Sequence, residues 1–517
     1  MANPQPSLAQ YYHQQTKYHP DTLSQKAQPL DRDSQPEPFK DYKIGTAFPL
    51  KPYLAEDLDN ADDVTQAWRR LSRLLLASYG LTVKIMTLSG EPVFFRASPS
   101  AGALYPAEIY LISRGTPVLP PGLYSYQSKT HALVHFWDSD VWTDLQHACF
   151  WHASLDGTQM ALVTTAIFYR SAWRYQARAY RRIFLDTGHL LGNIELACAI
   201  NRYRPHLIGG FADQAMDDLL YLNSEQEGTM TVMAIADQQD LQQNLPLMPT
   251  ALASATQTDY PPLPDEDLLM ALHQASRIPK QPDVSWKAVS RFDAVEAIAD
   301  QPIREDKYNF PFCFKVATQS AAILWGEELL DLERTILKRR STRQYSGADL
   351  KLDELCTLLD FTYQPHHYID QGLERSPDYF DLELIETFVA VSGVMGLDEG
   401  CYYYAPRAQE LRQIRFKNFR RELHFLCLGQ ELGRDAAALV FHTADLGKAV
   451  AKYGDRAYRY LHMDAGHLGQ RMNLAAIRMG LGVSGIAGFF DDEVNEVLGI
   501  PTDEAVLYIT TLGRPAR

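Results

Sequence analysis

Cysteine is scarce in this 517-residue sequence, and no metal or redox pattern is built from it. The six cysteines (Cys149, Cys198, Cys313, Cys356, Cys401 and Cys427) show no CxxC spacing and no neighbouring histidine cluster, so they read as buried free thiols and no metal is expected. A net charge of −15 leaves no basic excess for a nucleic acid or an anionic membrane. No apolar run stands out as long enough to span a bilayer, and residues 1–15 lack the basic region and apolar run of a signal peptide, so a cytoplasmic location is expected. Walker A, HExxH, GxSxG and EF-hand patterns do not occur, which removes the chemistries they carry.

What the sequence does contain is a repeat. The stretch RAYRRIFLDTGHL (178–190) returns 278 residues later as RAYRYLHMDAGHL (456–468). The same shift holds without a gap from Tyr175/Tyr453 to Leu220/Leu498, and 16 of those 46 pairs are identical. They include Arg178/Arg456, Tyr180/Tyr458, Gly188/Gly466, His189/His467, Gly210/Gly488 and Asp213/Asp491. A second patch, PGLYSYQSKTHAL (121–133), falls on EGCYYYAPRAQEL (399–411) by the same shift. A period this long is a duplicated domain, not a solenoid, and the length suits at least two cores.

Four regions follow. Residues 1–45, rich in Gln, Pro, Tyr and His, read as an arm, and 46–240 as the first domain. Residues 241–325 read as a linker: they open on the Pro, Thr and Ser-rich NLPLMPTALASATQTDYPPLPDED and contain short amphipathic segments such as DEDLLMALHQASR. Residues 326–517 form the second domain. Both repeat copies predict long helices, the second with an apolar stripe through Leu461, Ala465, Leu468, Met472, Ala475 and Met479. The runs AEIYLISR, ETFVAVSG, TMTVMAIA and AVLYITTLG predict strands, so each half is expected to be α+β with a small sheet.

Three motifs suggest ligand chemistry. LKRRSTRQYS places Lys338, Arg339, Arg340, Ser341 and Arg343 together, which fits either an anion site or a solvated basic helix end. GLGVSG (Gly480, Gly482, Gly485) matches GxGxxG but follows a helix instead of a strand, so it reads as a helix stop and a close backbone approach to something flat. RASPSAGALYPAEIYL joins a turn of small residues to a strand, which lets backbone approach a planar ligand or is a plain loop.

Together KRRSTRQYS, PSAGALYPAEIYL, the 451–501 stretch from AKYGDRAY to EVLGIP and the final YITTLGRP resemble the FMN-dependent nitroreductase superfamily. The resemblance is to its SagB-type branch, which includes azoline dehydrogenases. It covers nearly the whole chain twice. Members of that family are homodimers with FMN at the subunit interface, so it implies an intrachain pseudo-dimer of two tandem nitroreductase-like domains, with the chain a monomer.

On the family pattern, Arg339, Arg340, Ser341 and Arg343, the backbone at Ala487 and Gly488, and Arg514 come from the second half. The opposing turn, Ser98, Pro99, Ser100, Gly102 and Leu104, comes from the first. The 278 shift puts SPDYFDLEL on the turn and RYRPHLIGGF on the glycine-rich stretch, and only the acidic AEDLDNADD precedes the first half's AWRRLSRLLLASYG. One complete FMN site and one dismantled site are therefore expected. The branch's Lys-Tyr acid/base pair falls on Lys452 and Tyr453, where the first half has Arg174 and Tyr175. The resemblance implies a dehydrogenase acting on an azoline-like ring of a peptide or small molecule. The alternatives are an NAD(P)H-dependent nitro or quinone reductase and a non-catalytic flavin- or peptide-binding protein.

Overall fold

A computed structural model describes residues 5–23, 29–55, 61–87, 90, 92–238, 249–280 and 305–516. Each half builds one seven-stranded sheet. Strands β1 (Thr46–Pro49), β2 (Ala107–Ser113), β3 (Gly122–Gln127), β4 (Ala132–Trp137), β5 (Met160–Ile167), β6 (Tyr203–Ile208) and β7 (Glu227–Asp237) lie in the order β1-β4-β3-β2-β5-β7-β6. Strands β8 (Lys315–Ala317), β9 (Glu386–Val391), β10 (Gly400–Ala405), β11 (Glu410–Arg415), β12 (Ala438–Asp445), β13 (Gly482–Ile486) and β14 (Glu504–Gly513) repeat that topology as β8-β11-β10-β9-β12-β14-β13. The sheets are larger than the four apolar runs suggested, because strands such as β3 (GLYSYQ) and β11 (ELRQIR) mix polar with apolar residues and others, such as β1 and β8, are only three or four residues long. The inner strands are covered on both faces, and β2 and β9 are buried at every residue. That burial is why they read as continuous apolar runs instead of alternating ones.

Between the sheets lie two long helices, a first central helix (Ala179–Ile200) and a second (Ala457–Arg478), which are the repeated sequences. They cross at Gly188 and Gly466. A Cβ on Gly188 would stand 2.1 Å from the Met463 carbonyl oxygen, and one on Gly466 2.3 Å from that of Leu185. Only glycine allows backbones this close. The second central helix is buried around almost its whole circumference, not along one stripe, because its partner helix, its sheet and the helix Leu352–Tyr363 enclose it. The stretch Phe168–Ile200 is apolar and long enough to cross a membrane, but it is enclosed by protein as a core element. Five cysteines are buried and Cys313 is half-buried.

Two shorter helices tie the halves across the pseudo-twofold. The arm helix Leu8–Gln15 has a counterpart in Leu268–Ala275, with Leu8/Leu268, His13/His273, Gln14/Gln274 and Thr16/Ser276 matching at a spacing of 260. Arg178 and Arg181 of the first half bind Asp491 of the second at 2.9 and 2.7 Å, and Arg181 also donates to Thr16 Oγ1 and the His13 carbonyl. Arg456 and Arg459 bind Asp213 at 2.6 and 2.7 Å, and Arg459 donates to Ser276 Oγ and the His273 carbonyl. Burial pushes the Asp213 carboxyl up, but the two guanidiniums outweigh it and hold it at about 2. The RAYR repeat thus exists to grip the opposite half. Segments in the region read as a linker take part in the same symmetry.

Candidate functional site

The loop after helix Leu330–Lys338 carries the basic motif and is fixed on three sides. Thr342 N–H donates to the Val483 carbonyl at 2.8 Å, Val483 N–H donates to Thr342 Oγ1 at 3.0 Å, and Ser346 and Ala516 N–H bind Arg514 and Gln344 carbonyls at 2.9 and 3.0 Å. Arg339 is buried and crosses to the first half, donating from Nε to the Ala97 carbonyl at 2.8 Å and from Nη2 to that of Arg96 at 3.3 Å. Arg340 stands 5.8 Å from the Phe95 ring centroid. Ser341 is half-buried and Arg343 is exposed. The basic motif of the second half and the small-residue turn of the first are therefore brought together, with Arg339 as their joint.

The turn itself is strained. Gly102, Ala103 and Tyr105 have φ of 65°, 54° and 48°, left-handed values that disfavour side chains. Ser100 and Asp186 hold it: Ser100 Oγ donates to Asp186 at 2.5 Å and accepts from Tyr105 N–H at 2.9 Å, and Ala101 N–H donates to the same carboxylate at 3.1 Å. Burial drives the Asp186 carboxyl up to about 7, although those two donors oppose the rise. Asp464 accepts from Phe380 and Asp381 N–H at 3.0 and 2.8 Å in the second half, so the repeated Asp-x-Gly-His shapes a turn in both copies. Ser98 and Leu104 are buried and Pro99 is half-buried.

From this turn the site continues to Ala487 and Gly488 through Arg174 and Tyr175, named in the sequence only as counterparts of Lys452 and Tyr453, and through Arg182 and Tyr18, which the sequence did not single out. A Cβ on Gly102 would lie 2.8 Å from Tyr175 Oη and 3.4 Å from Arg174 Cδ. The Arg182 guanidinium lies 3.8 Å from the Tyr175 ring centroid. A Cβ on Gly488 would lie 3.5 Å from Arg182 Nη2 and 4.0 Å from Tyr18 Cε2. Arg182 is buried, and its Nη1 has no hydrogen-bond partner. Burial pushes the Tyr18 phenol up, but Arg182 and Arg178 outweigh it and the net shift is downward. The signal in the sequence was a local one: Arg178-Ala179-Tyr180-Arg181 is matched exactly by Arg456-Ala457-Tyr458-Arg459 at the 278 shift, and the next residue, Arg182, falls on Tyr460.

Three expected residues stand elsewhere or are engaged. Lys452 Nζ and Tyr453 Oη both donate to Asp381 Oδ2, at 2.5 and 3.0 Å, and the Tyr453 carbonyl accepts from Ser254 N–H at 3.1 Å. They sit against their own half's turn, away from the Arg339 cluster, and it is Arg174 and Tyr175 that reach the composite site. The crossing geometry is the reason: each helix end faces the turn of its own half, whereas the basic loop of the second half faces the turn of the first. Arg514 Nη2 donates to both carboxylate oxygens of Glu354, at 2.8 and 2.7 Å. The flat groups approached by the glycine-rich stretch are tyrosines of the protein: Tyr345 and Thr342 crowd Gly482, and Tyr508 crowds Gly485. Gly480, at φ 72°, is the helix stop.

The symmetry-related site is filled by residues 250–255 of this chain. Gly209 N–H donates to the Thr250 carbonyl at 2.6 Å, and Tyr460 Oη donates to the Leu252 carbonyl at 2.9 Å. Leu252 lies so close to Gly210 that a Cβ there would be 2.4 Å from Leu252 Cγ, and it packs with Phe150, Ala212 and Ile278. Phe380 stacks on Tyr460 at 4.6 Å. Among the described residues no backbone carbonyl accepts from Ala487 N–H, the counterpart of Gly209 N–H.

The Nitroreductase family signature matches residues 67–236 and 336–514. The crystal structure of a candidate nitroreductase from Anabaena variabilis is 63% identical, with a TM-score of 0.93, over 99% of this chain and 100% of its own. A candidate nitroreductase of Methanocaldococcus jannaschii is 32% identical over 187 residues, 36% of this chain and 92% of its own, so it has the length of one half. The chain belongs to the nitroreductase family, carries that fold twice, and is an oxidoreductase.

Proposed function

We propose that the protein binds one FMN per chain at the composite site and works as an NAD(P)H-dependent reductase of nitro or quinone acceptors. The asymmetry of the two sites carries this reading: one keeps the strained turn and an Ala487 N–H that no backbone carbonyl among the described residues accepts, and the other is packed with Leu252 and Phe380. A cradle that a Cβ on Gly102 or Gly488 would intrude upon, lined by unspent donors, fits a planar, hydrogen-bonding cofactor. Arg340, Ser341 and Arg343 would hold its phosphate, with Arg514 beside them on Glu354 and Arg339 keeping the loop in place. Ser98, Pro99, Ser100, Gly102, Leu104, Ala487 and Gly488 would hold the ring and its chain. When bound, the flavin supplies hydride and electron transfer.

The SagB-type azoline dehydrogenase reading requires a basic Lys at the flavin. Lys452 is held by Asp381 at the filled site, and the composite site has in its place Arg174, a guanidinium that does not serve as a general base, so the geometry favours the reductase. Because one chain supplies both half-sites, the active form is a monomer.

The test is the flavin-to-chain ratio of purified protein, read by absorbance after heat release, in the wild type, Arg343→Ala and Gly488→Leu. A ratio near one, reduced in both variants, supports the reading, and a ratio near two overturns it. Anaerobic bleaching of the bound flavin by NADPH or NADH then separates the reductase from a dehydrogenase, which would bleach only with its own substrate.

A further inference from the structure

We infer that Arg182 and Arg174 form an anion clamp at the composite site, selecting an acceptor that carries a carboxylate. This rests on the flavin reading for its reaction, but not for its binding chemistry. Both guanidiniums lie near the Tyr175 ring, Arg182 at 3.8 Å and Arg174 at 5.7 Å from its centroid. Arg182 is only 6% exposed and its Nη1 lacks a partner, a costly state for a buried cation unless a ligand completes it.

The nearest carboxylates are hydrogen-bonded to other groups, and Arg182 itself bonds the Tyr18 phenol. Asp491 is taken by Arg178 and Arg181, and Asp186, one turn along the helix, is taken by Ser100 and Ala101. Arg174 is exposed and has no ion-pair partner among the described residues. At the filled site the same two positions are silent: Tyr460 is neutral and bonds the Leu252 carbonyl, and Lys452 is paired with Asp381. Positive charge without a counter-charge is thus confined to the site that stayed open, between Gly102 and Gly488. A planar carboxylate matches the fork of a guanidinium, and an aryl acid is the simplest probe that carries one.

The experiment is calorimetric titration of the purified full-length protein with benzoate and with its neutral isostere benzamide, for wild type, Arg182→Gln and Arg182→Lys, with flavin content measured on the same samples. Loss of one charge-assisted contact should weaken benzoate about 10- to 100-fold in Arg182→Gln, with partial recovery in Arg182→Lys, benzamide changed less than about 2-fold and flavin content unchanged. In steady state, 4-nitrobenzoate should show the loss in KM and 4-nitrotoluene should not. Equal effects on benzoate and benzamide, or loss of flavin in Arg182→Gln, would overturn the clamp; so would a rise in KM confined to the nicotinamide donor, which would assign the arginines to its phosphates. Benzoate binding that depends on Arg182 in protein without flavin would keep the clamp and remove the flavin reading.

Discussion

The pseudo-twofold supplies its own control experiment, because Asp213 and Asp491 do the same structural work beside two different sites. Each carboxylate is buried and accepts from two buried arginines of the opposite half at 2.6 to 2.9 Å. In Asp213→Asn or Asp491→Asn the amide keeps one acceptor oxygen and turns a donor toward the second guanidinium. Breaking a buried pair in this way costs about 3–5 kcal/mol, and the similar geometry predicts similar losses for the two variants. The consequences for the cofactor should differ. Asp491 also accepts from Tyr18 N–H at 3.1 Å, and Arg178, which it fixes, lies over the Tyr18 and Phe489 rings next to Gly488. Asp491→Asn should therefore lose bound flavin, and Asp213→Asn should keep a ratio near one. Urea denaturation followed by tryptophan fluorescence reads the first quantity and flavin absorbance the second. The sign with pH is fixed as well: Asp213 has a depressed folded pKa of about 2, so its contribution is present above the unfolded value near 4 and the cost of Asp213→Asn shrinks as pH falls toward 2. A cost below about 1 kcal/mol in either variant would refute the ion-pair argument, and equal flavin loss in both would refute the assignment of the sites.

Further outcomes follow from local geometry. Gly466→Ala drives a methyl to within 2.3 Å of the Leu185 carbonyl oxygen, a backbone atom that cannot swing aside, and should abolish soluble expression, whereas Gly429→Asn, at φ 71° with open space around it, should leave the melting temperature within a few degrees. Burial raises the Asp186 and Asp464 carboxyls to about 7, so the stability they confer is full below the unfolded value near 4 and is lost as pH rises through about 7. The melting temperature of Asp186→Asn/Asp464→Asn should accordingly fall less between pH 5 and 8 than that of the wild type. Leu252→Ser removes an apolar side chain from its contact with Phe150 and Ile278 and should lower stability by about 1–3 kcal/mol, yet the flavin ratio should not exceed one, since no basic motif faces the emptied space.

The duplication and the α+β class were legible because they rest on long features: a 278-residue shift held over many positions, and periodic apolar runs. The meeting of Arg339 with the 98–104 turn was legible only through the family resemblance, since nothing in either motif names the other. That Lys452 and Tyr453 meet Asp381 of their own half was not legible for a physical reason: sequence says which half a residue belongs to, not which half's loop it faces after two helices cross. The counterpart of the arm helix was hidden because its spacing is 260, so a search at one shift passes over it. Arg182 was hidden by its surroundings, as a charged residue in a helix reads as surface until the structure encloses the helix on every side.

The division between what stayed symmetric and what diverged explains how one site could close without loss of the fold. The Gly188/Gly466 crossing serves both sites and the two Arg-Asp grips join the halves, so a change in any of them weakens the whole molecule. The residues around each ligand space serve only that space. A bound cofactor stabilises the folded chain by its own binding free energy, and a site that stops binding forfeits that contribution. In this chain residues 250–255 replace it from within: Leu252 and Phe380 bury apolar surface where a ring would lie, and the Thr250 carbonyl accepts the Gly209 N–H that a ligand would otherwise use. Tethering places this occupant at a high effective concentration without an external ligand. Fusion of two identical halves is what makes the exchange possible, because in a homodimer the same substitutions would close both sites at once.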